Sequence, residues 1–137
     1  MSSKDNAAVW AISKVMESDV EGFEGISDSL SLGSSTVGVA RQAAETVTDL
    51  LTEMKGKIVA SQEENVDRSK IQADIGALRD QISSIVGAAQ FNGLNLVNGS
   101  TTSIDVLASL DRDGATTSAS SISVTSQDLS FGTYTAN

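Results

Sequence analysis

The chain has 137 residues, 39% of them hydrophobic but only 4% aromatic, and a formal net charge of −9. That acidity excludes nucleic acid and anionic membrane surfaces as partners, because both need clustered Lys and Arg. It contains no Cys, His or Pro. These absences remove disulfides, thiolate metal sites, cysteine nucleophiles, and the commonest general base and zinc ligand.

The length fits one small domain, and a core of Ala, Val, Ile, Leu and Met suits packed helices. No apolar run approaches the ~20 residues of a membrane span. The opening MSSKDNAAVW has no basic end followed by an apolar stretch, so it is not a secretory signal peptide.

In chain order, Ile12, Met16, Val20, Phe23, Ile26 and Leu30 recur every three or four residues. The stripe resumes at Val37, Ala40, Ala44, Val47, Leu51, Met54 and Ile58. A mean spacing near 3.5 predicts a helix over about 6–61 that buries one narrow seam. Such a helix is roughly 80 Å long at ~1.5 Å per residue. Gly22, Gly25 and Gly33 are poor helix formers within it, so a continuous helix with local softening or a bend is expected there. Residues Gln62–Val66 read as a polar loop, after which Asn65 or Asp67 can cap the next helix. Ile71, Ile75, Leu78, Ile82, Ile85 and Ala89 predict that helix over about 67–90, folded back antiparallel on the first.

From Asn92-Gly93 the chemistry changes. Asn92-Gly93 and Asn98-Gly99 are turn dipeptides. Ile104, Val106 and Ala108, a turn at Asp111-Arg112-Asp113-Gly114, then Ile122 and Val124 predict a β-hairpin with one apolar face. The stretch 99–127 is rich in Ser and Thr and cannot bury much surface alone, so it must lean on another element. The expected fold is mainly α: a long antiparallel helical hairpin, or rod, over 1–99, followed by a small β-hairpin segment and tail over 100–137.

Two stretches carry a family likeness. Ser3-Lys4-Asp5-Asn6-Ala7-Ala8 with Ala11-Ile12-Ser13 resembles the start of the rod domain of bacterial flagellins. Ala89-Gln90-Phe91-Asn92-Gly93 resembles the Gln-Phe-Asn-Gly that closes the family's second rod helix. The resemblance covers about residues 2–98. It implies an extracellular filament subunit for motility, exported through the flagellar channel, with no cofactor and no catalytic site. It also implies an N-terminal segment before Ser3 and a C-terminal helix after Asn137 that completes the rod. The partners implied are other flagellin subunits, that C-terminal helix of the same chain, an export chaperone and junction proteins.

Many flagellins also carry a Gln-Arg-Val-Arg-Glu-Leu-like stretch bound by an animal innate-immune receptor. Here Thr48-Asp49-Leu50-Leu51-Thr52-Glu53-Met54-Lys55 lacks both arginines, so weak or no recognition is expected, since Glu cannot replace a bidentate Arg.

Packing or assembly is assigned to Ile12, Val20, Phe23, Val47, Leu51, Met54, Ile75, Leu78, Ile82 and Phe91. Trp10, Val15, Val39, Leu50 and Val59 lie off the main seam and require another partner. Other constellations have plainer explanations. Glu63-Glu64 with Asp67, and Asp111 with Asp113, suggest an acid/base pair or a calcium loop, but turn chemistry accounts for them. The Ser/Thr surface over 100–126 suits O-linked glycans or simple solubility. A hook-filament junction protein, a secretion-system adaptor and, last, an enzyme are the rival readings; no zinc-ligand spacing supports the last.

Overall fold

In the computed structural model, residues 3–113 and 116–132 are described, with side chains from residue 6. The protein is mainly helical, with helix α1 over Ser3–Ala60 and helix α2 over Arg68–Ala88. Four strands follow: β1 (Gln90–Phe91), β2 (Leu94–Asn95), β3 (Ser103–Asp113) and β4 (Thr116–Thr125). They pair as two small antiparallel sheets, β1 with β2 and β3 with β4. The chain divides into two compact units, Met1–Ser34 with Asp105–Val124 and Ser35–Ile104 with Thr125–Asn137. The division at 99/100 drawn from composition falls inside the second unit.

In the second unit, α2 runs back against α1. Lys57 of α1 bonds to Asp74 near the start of α2, while Ala43 and Val47 share a cluster with Ile82 and Val86 near its end. Ile82 is 1% exposed and forms the centre of that cluster, which Ala89 and Val97 complete. Each such Val, Leu or Ile contributes about 1.5–3 kcal/mol by leaving water.

The buried stripe of α1 follows the predicted one at Ala40, Val47 and Met54 and departs from it elsewhere. Val39, Ala40, Ala43, Val47, Leu50 and Met54 form or flank the core, whereas Val37, Leu51 and Ile58 are 39%, 46% and 47% exposed. Val39 and Leu50, expected to lie off the seam, therefore belong to it. Two apolar stripes offset by one residue obey the same period, and only the partner helix selects between them.

The connection between the helices is built from side-chain caps. Ser61 N–H closes on Lys57 O, and the Arg68 guanidinium donates to Ser61 O and Glu63 O, both at 3.1 Å. Of the two cap candidates, Asp67 holds the position, accepting from Lys70 N–H at 3.0 Å. Asn65 instead takes φ 65°, a left-handed turn conformation that Asn tolerates.

Helix α2 ends at Ala88, and Gln90 pairs with Asn95 while Phe91 pairs with Leu94. The intervening Asn92 and Gly93 both have positive φ, 50° and 80°, as a two-residue hairpin turn of matching twist requires. Asn95, 4% exposed, ties this hairpin to the helix. Its amide donates to Val86 O at 2.8 Å and Gly87 O at 3.4 Å. Its oxygen accepts from Val97 N–H and Asn98 N–H. Carbonyls that a helix C-terminus leaves without partners are thereby satisfied.

In the first unit, the β-hairpin leans on α1. The helix runs through Gly22, Gly25 and Gly33 without a break, as expected. A Cβ on Gly33 would lie 2.6 Å and 2.9 Å from the two γ-carbons of Val106 and 3.3 Å from its Cβ. One on Gly22 would lie 2.6 Å from Leu110 Cδ1. These glycines are seats for β3, not weak points. Ser29 Oγ accepts from Leu107 N–H at 2.9 Å, and Arg112 pairs with Asp19 at 2.9 Å. Strand β3 extends through Asp113, so Asp111–Asp113 are strand rather than turn, and Gly114 lies outside the described residues.

Gly25 has open space where its Cβ would be. Gly25→Ala is therefore expected to stabilise the chain by about 0.5–1 kcal/mol through helix propensity. Gly33→Ala is expected to lower stability despite the same propensity gain, because rotating Val106 cannot move its Cβ. Urea unfolding of the two variants checks this; equal stabilisation would contradict the assigned packing.

Candidate assembly surface

Among the described residues, no cleft gathers a nucleophile with an acid or base beside it. Glu63 and Glu64 are exposed in the interhelical loop, Asp67 is engaged as a helix cap, and Asp111 and Asp113 are exposed on β3. Among the described residues, no group of three or more His, Cys, Asp or Glu is placed to hold a metal ion. What stands out is apolar surface.

In the first unit, Val9, Trp10, Ile12, Val15, Met16, Val20 and Phe23 are all exposed on α1, by 44% to 69%. Val9, Ile12, Met16, Val20 and Phe23 follow one another by three or four residues and so share a helix face. Only Ile26 of this part of α1 is a buried large hydrophobic. A contiguous apolar strip of this kind marks a surface that another polypeptide covers. Glu17, Asp19, Glu21, Glu24 and Asp28 are interspersed with it, all exposed, and they give α1 an acidic flank. Lys14 pairs with Glu17 there. Beside Phe23, a cavity of about 190 Å³ is lined by Asp19, Ile26, Leu110, Arg112 and Thr117.

The second unit has its own uncovered face. Leu51, Ile58 and Val59 are 46%, 47% and 58% exposed, and Phe91 is 40% exposed. A shallow apolar groove of about 310 Å³ runs between Val39, Ala43 and Thr46 of α1 and Ile85 and Ala88 of α2.

The residues singled out from the sequence therefore fall into two sets. Val47, Leu78 and Ile82 are buried, with Met54 and Ile75 half-buried beside them. Ile12, Val20, Phe23, Leu51 and Phe91 are exposed and lie outside the buried core. The positioning residues Arg68, Asn95, Ser29 and Arg112 had no periodic signature. Gly22 and Gly33 did offer one, since about three turns separate them and place them on one face.

The electrostatics are those of a surface. Lys57 Nζ donates to Asp74 Oδ2 at 2.8 Å, with both side chains more than a third exposed. The hydrogen bond and charge of Lys57 hold the Asp74 carboxyl below its ordinary value, and Asp74 raises Lys57 in turn. Asp128 is also lowered, by the hydroxyl and N–H of Ser130.

Among the described residues, the site is thus an exposed apolar strip on a mainly helical chain. The profile of the bacterial flagellin N-terminal helical region matches residues 1–102, and the chain belongs to the flagellin family. It is 38% identical over 127 residues to flagellin FljN of Caulobacter vibrioides, covering 90% of this chain and 46% of that protein. Flagellin FljK of the same organism is 39% identical over 126 residues, with the same coverage. Flagellin A of Rhizobium meliloti (strain 1021) is 36% identical over 134 residues, covering 98% of this chain and 34% of the relative. The chain thus spans about a third to a half of the length of these relatives.

The Lys57–Asp74 pair generates a pH signature. Asp74, depressed in the folded state, contributes stability that is present above its unfolded value, about 3.9, and lost as pH falls through the lower folded value. Lys57, raised, contributes stability present below about 10.4 and lost as pH rises through its higher folded value. Asp74→Asn is expected to lower the thermal midpoint slightly at neutral pH and not at all in strong acid. A deficit that persists undiminished into acid would contradict the ion pair as its cause.

Proposed function

We propose that this chain is the N-terminal helical part of a flagellin, a structural subunit that polymerises with further copies into the extracellular filament that drives motility. The observation that carries this reading is the exposed apolar strip Val9–Phe23 on α1 in a chain of the flagellin family. α1 and α2 serve as a long helical rod, and the second unit's uncovered face is closed by a C-terminal helix of the same protein. In this reading the protein acts mechanically, without catalysis, cofactor or metal.

Ile12, Val20 and Phe23 bury themselves between subunits during assembly, and Leu51 and Phe91 against the C-terminal helix of the same protein, while Val47, Met54, Ile75, Leu78 and Ile82 hold the subunit's own helices together. An export chaperone and junction proteins engage the subunit before and at the ends of polymerisation. The stretch Thr48–Lys55 presents Thr48, Asp49, Thr52, Glu53 and Lys55 to solvent and offers no guanidinium. Innate-immune recognition through that stretch is correspondingly weak or absent, and a receptor reporter assay reads this directly.

The deciding experiment places Val20→Asp and Phe23→Asp, singly and together, in the whole flagellin. Both positions are exposed, so circular dichroism should show an unchanged helical subunit. Filament growth, followed by electron microscopy, should fall sharply for each variant and cease for the pair. Wild-type filaments from the double variant would contradict the assignment of this strip to assembly.

A further inference from the structure

The chain contains two Asn-Gly dipeptides, Asn92-Gly93 and Asn98-Gly99, and the fold treats them in opposite ways. Asn-Gly is the pair in which a backbone nitrogen can most easily attack the preceding side-chain amide, because Gly has no Cβ to obstruct the approach. At Asn92-Gly93 the attacking group is held: Gly93 N–H donates to Gln90 Oε1 at 2.8 Å. Both residues are also fixed at positive φ in the two-residue turn between paired strands.

At Asn98-Gly99 it is the electrophile that is engaged. Asn98 Oδ1 accepts from Ser100 N–H at 2.9 Å and from Ser100 Oγ–H at 2.5 Å. The backbone N–H can only donate, so this contact fixes which amide atom is the oxygen. No hydrogen bond clamps the Gly99 N–H among the described residues. Two donors converging on a carbonyl oxygen are the arrangement that stabilises negative charge developing there during attack on the carbon.

We propose that Asn98 is a self-modification site, at which Ser100 supplies an oxyanion hole for spontaneous deamidation. Gly99 N loses its proton to solvent base and forms a bond to Asn98 Cγ. The electron pair of the carbonyl moves onto Oδ1, which the two Ser100 donors hold. The pair then returns as the Cγ–Nδ2 bond breaks, and the nitrogen takes up a proton and leaves as ammonia. Water opens the resulting cyclic imide at either carbonyl, giving aspartate or isoaspartate at position 98. No redox partner is involved.

The consequence is local and follows from the neighbours. The Asp128 carboxylate already lies against Gly99, its Oδ2 2.7 Å from where a Cβ would stand, and Ser130 keeps it ionised. A second carboxylate one residue from Gly99 adds like charge. The segment is fastened on both sides, by Leu129 N–H to Val97 O at 2.8 Å and Ser126 N–H to Thr102 O at 2.9 Å. The isoaspartate product also lengthens the main chain within this clamp. Ageing of the protein is thereby directed to the loop beyond β2 and away from the β1–β2 turn.

The test follows the folded protein at mildly alkaline pH by peptide mass spectrometry, with fragmentation that separates aspartate from isoaspartate. Position 98 is expected to convert well before position 92. Ser100→Ala, which removes only the hydroxyl from an exposed site, should slow conversion at 98 by roughly threefold or more. That is below the 10²–10³ of a desolvated oxyanion-hole donor, since this one is exposed to water. Ser100→Thr, which keeps the hydroxyl, should restore the rate, and Gln90→Ala should speed conversion at 92 by freeing Gly93 N–H. Equal rates at 92 and 98, or a Ser100→Ala rate equal to wild type, would overturn the proposal.

Discussion

A helix can turn only one stripe of its surface toward any one neighbour, and most features of this protein follow from that limit. In the second unit, α1 meets α2 along Val39, Ala43, Val47, Leu50 and Met54, and Ile82 closes the seam at 1% exposure. Leu51, Ile58 and Val59 of α1, off that line, are left 46% to 58% exposed. In the first unit, α1 meets the narrow ribbon β3–β4, which covers the face bearing Gly22, Ile26 and Gly33. The face bearing Val9 to Phe23 stays open. In the proposed reading, covering that open face is what drives assembly.

The smaller devices serve to place these stripes. Asn95 makes four hydrogen bonds from one buried amide, so the chain leaving α2 turns without stranding helix carbonyls or the N–H groups of the following segment. Arg68 and Asp67 do the equivalent work between the helices, one on the carbonyls of the outgoing chain and one on an N–H of the incoming helix. Glycine at 22 and 33 lets a strand approach the helix closely, and that contact gives a Ser/Thr-rich hairpin the support that its own composition denies it.

Much of this was legible in the residues. Apolar spacing of three and four located both helices, and Asn92-Gly93 located a turn, because only Gly and Asn adopt its backbone readily; the short β1–β2 hairpin around it was not foreseen. The Ser/Thr content from residue 99 correctly implied a ribbon needing support. What was not legible depended on partners distant in sequence. The stripe through Val37, Leu51 and Ile58 and the stripe through Val39, Ala43 and Leu50 are equally periodic, so α1 alone does not disclose which meets α2. Gly33 reads as a weakness until Val106, more than seventy residues later, is known to rest on it. The exposed strip itself was visible in sequence only as hydrophobic periodicity, which looks the same whether the covering surface is internal or another subunit.

The most direct measurement moves the chain's single Trp. Trp10 lies about a third of a turn off the Val9–Phe23 face of α1, so Trp10→Phe is combined with Phe23→Trp, at a position 69% exposed on that face. The emission of this indole and its quenching by acrylamide are to be compared between monomeric and polymerised whole flagellin, with any further Trp replaced by Phe. The account predicts a blue shift and strong protection from quencher on polymerisation, as this face passes from water to protein. Emission and quenching unchanged in well-formed filaments would contradict it, because the strip would then remain in water in the assembled state.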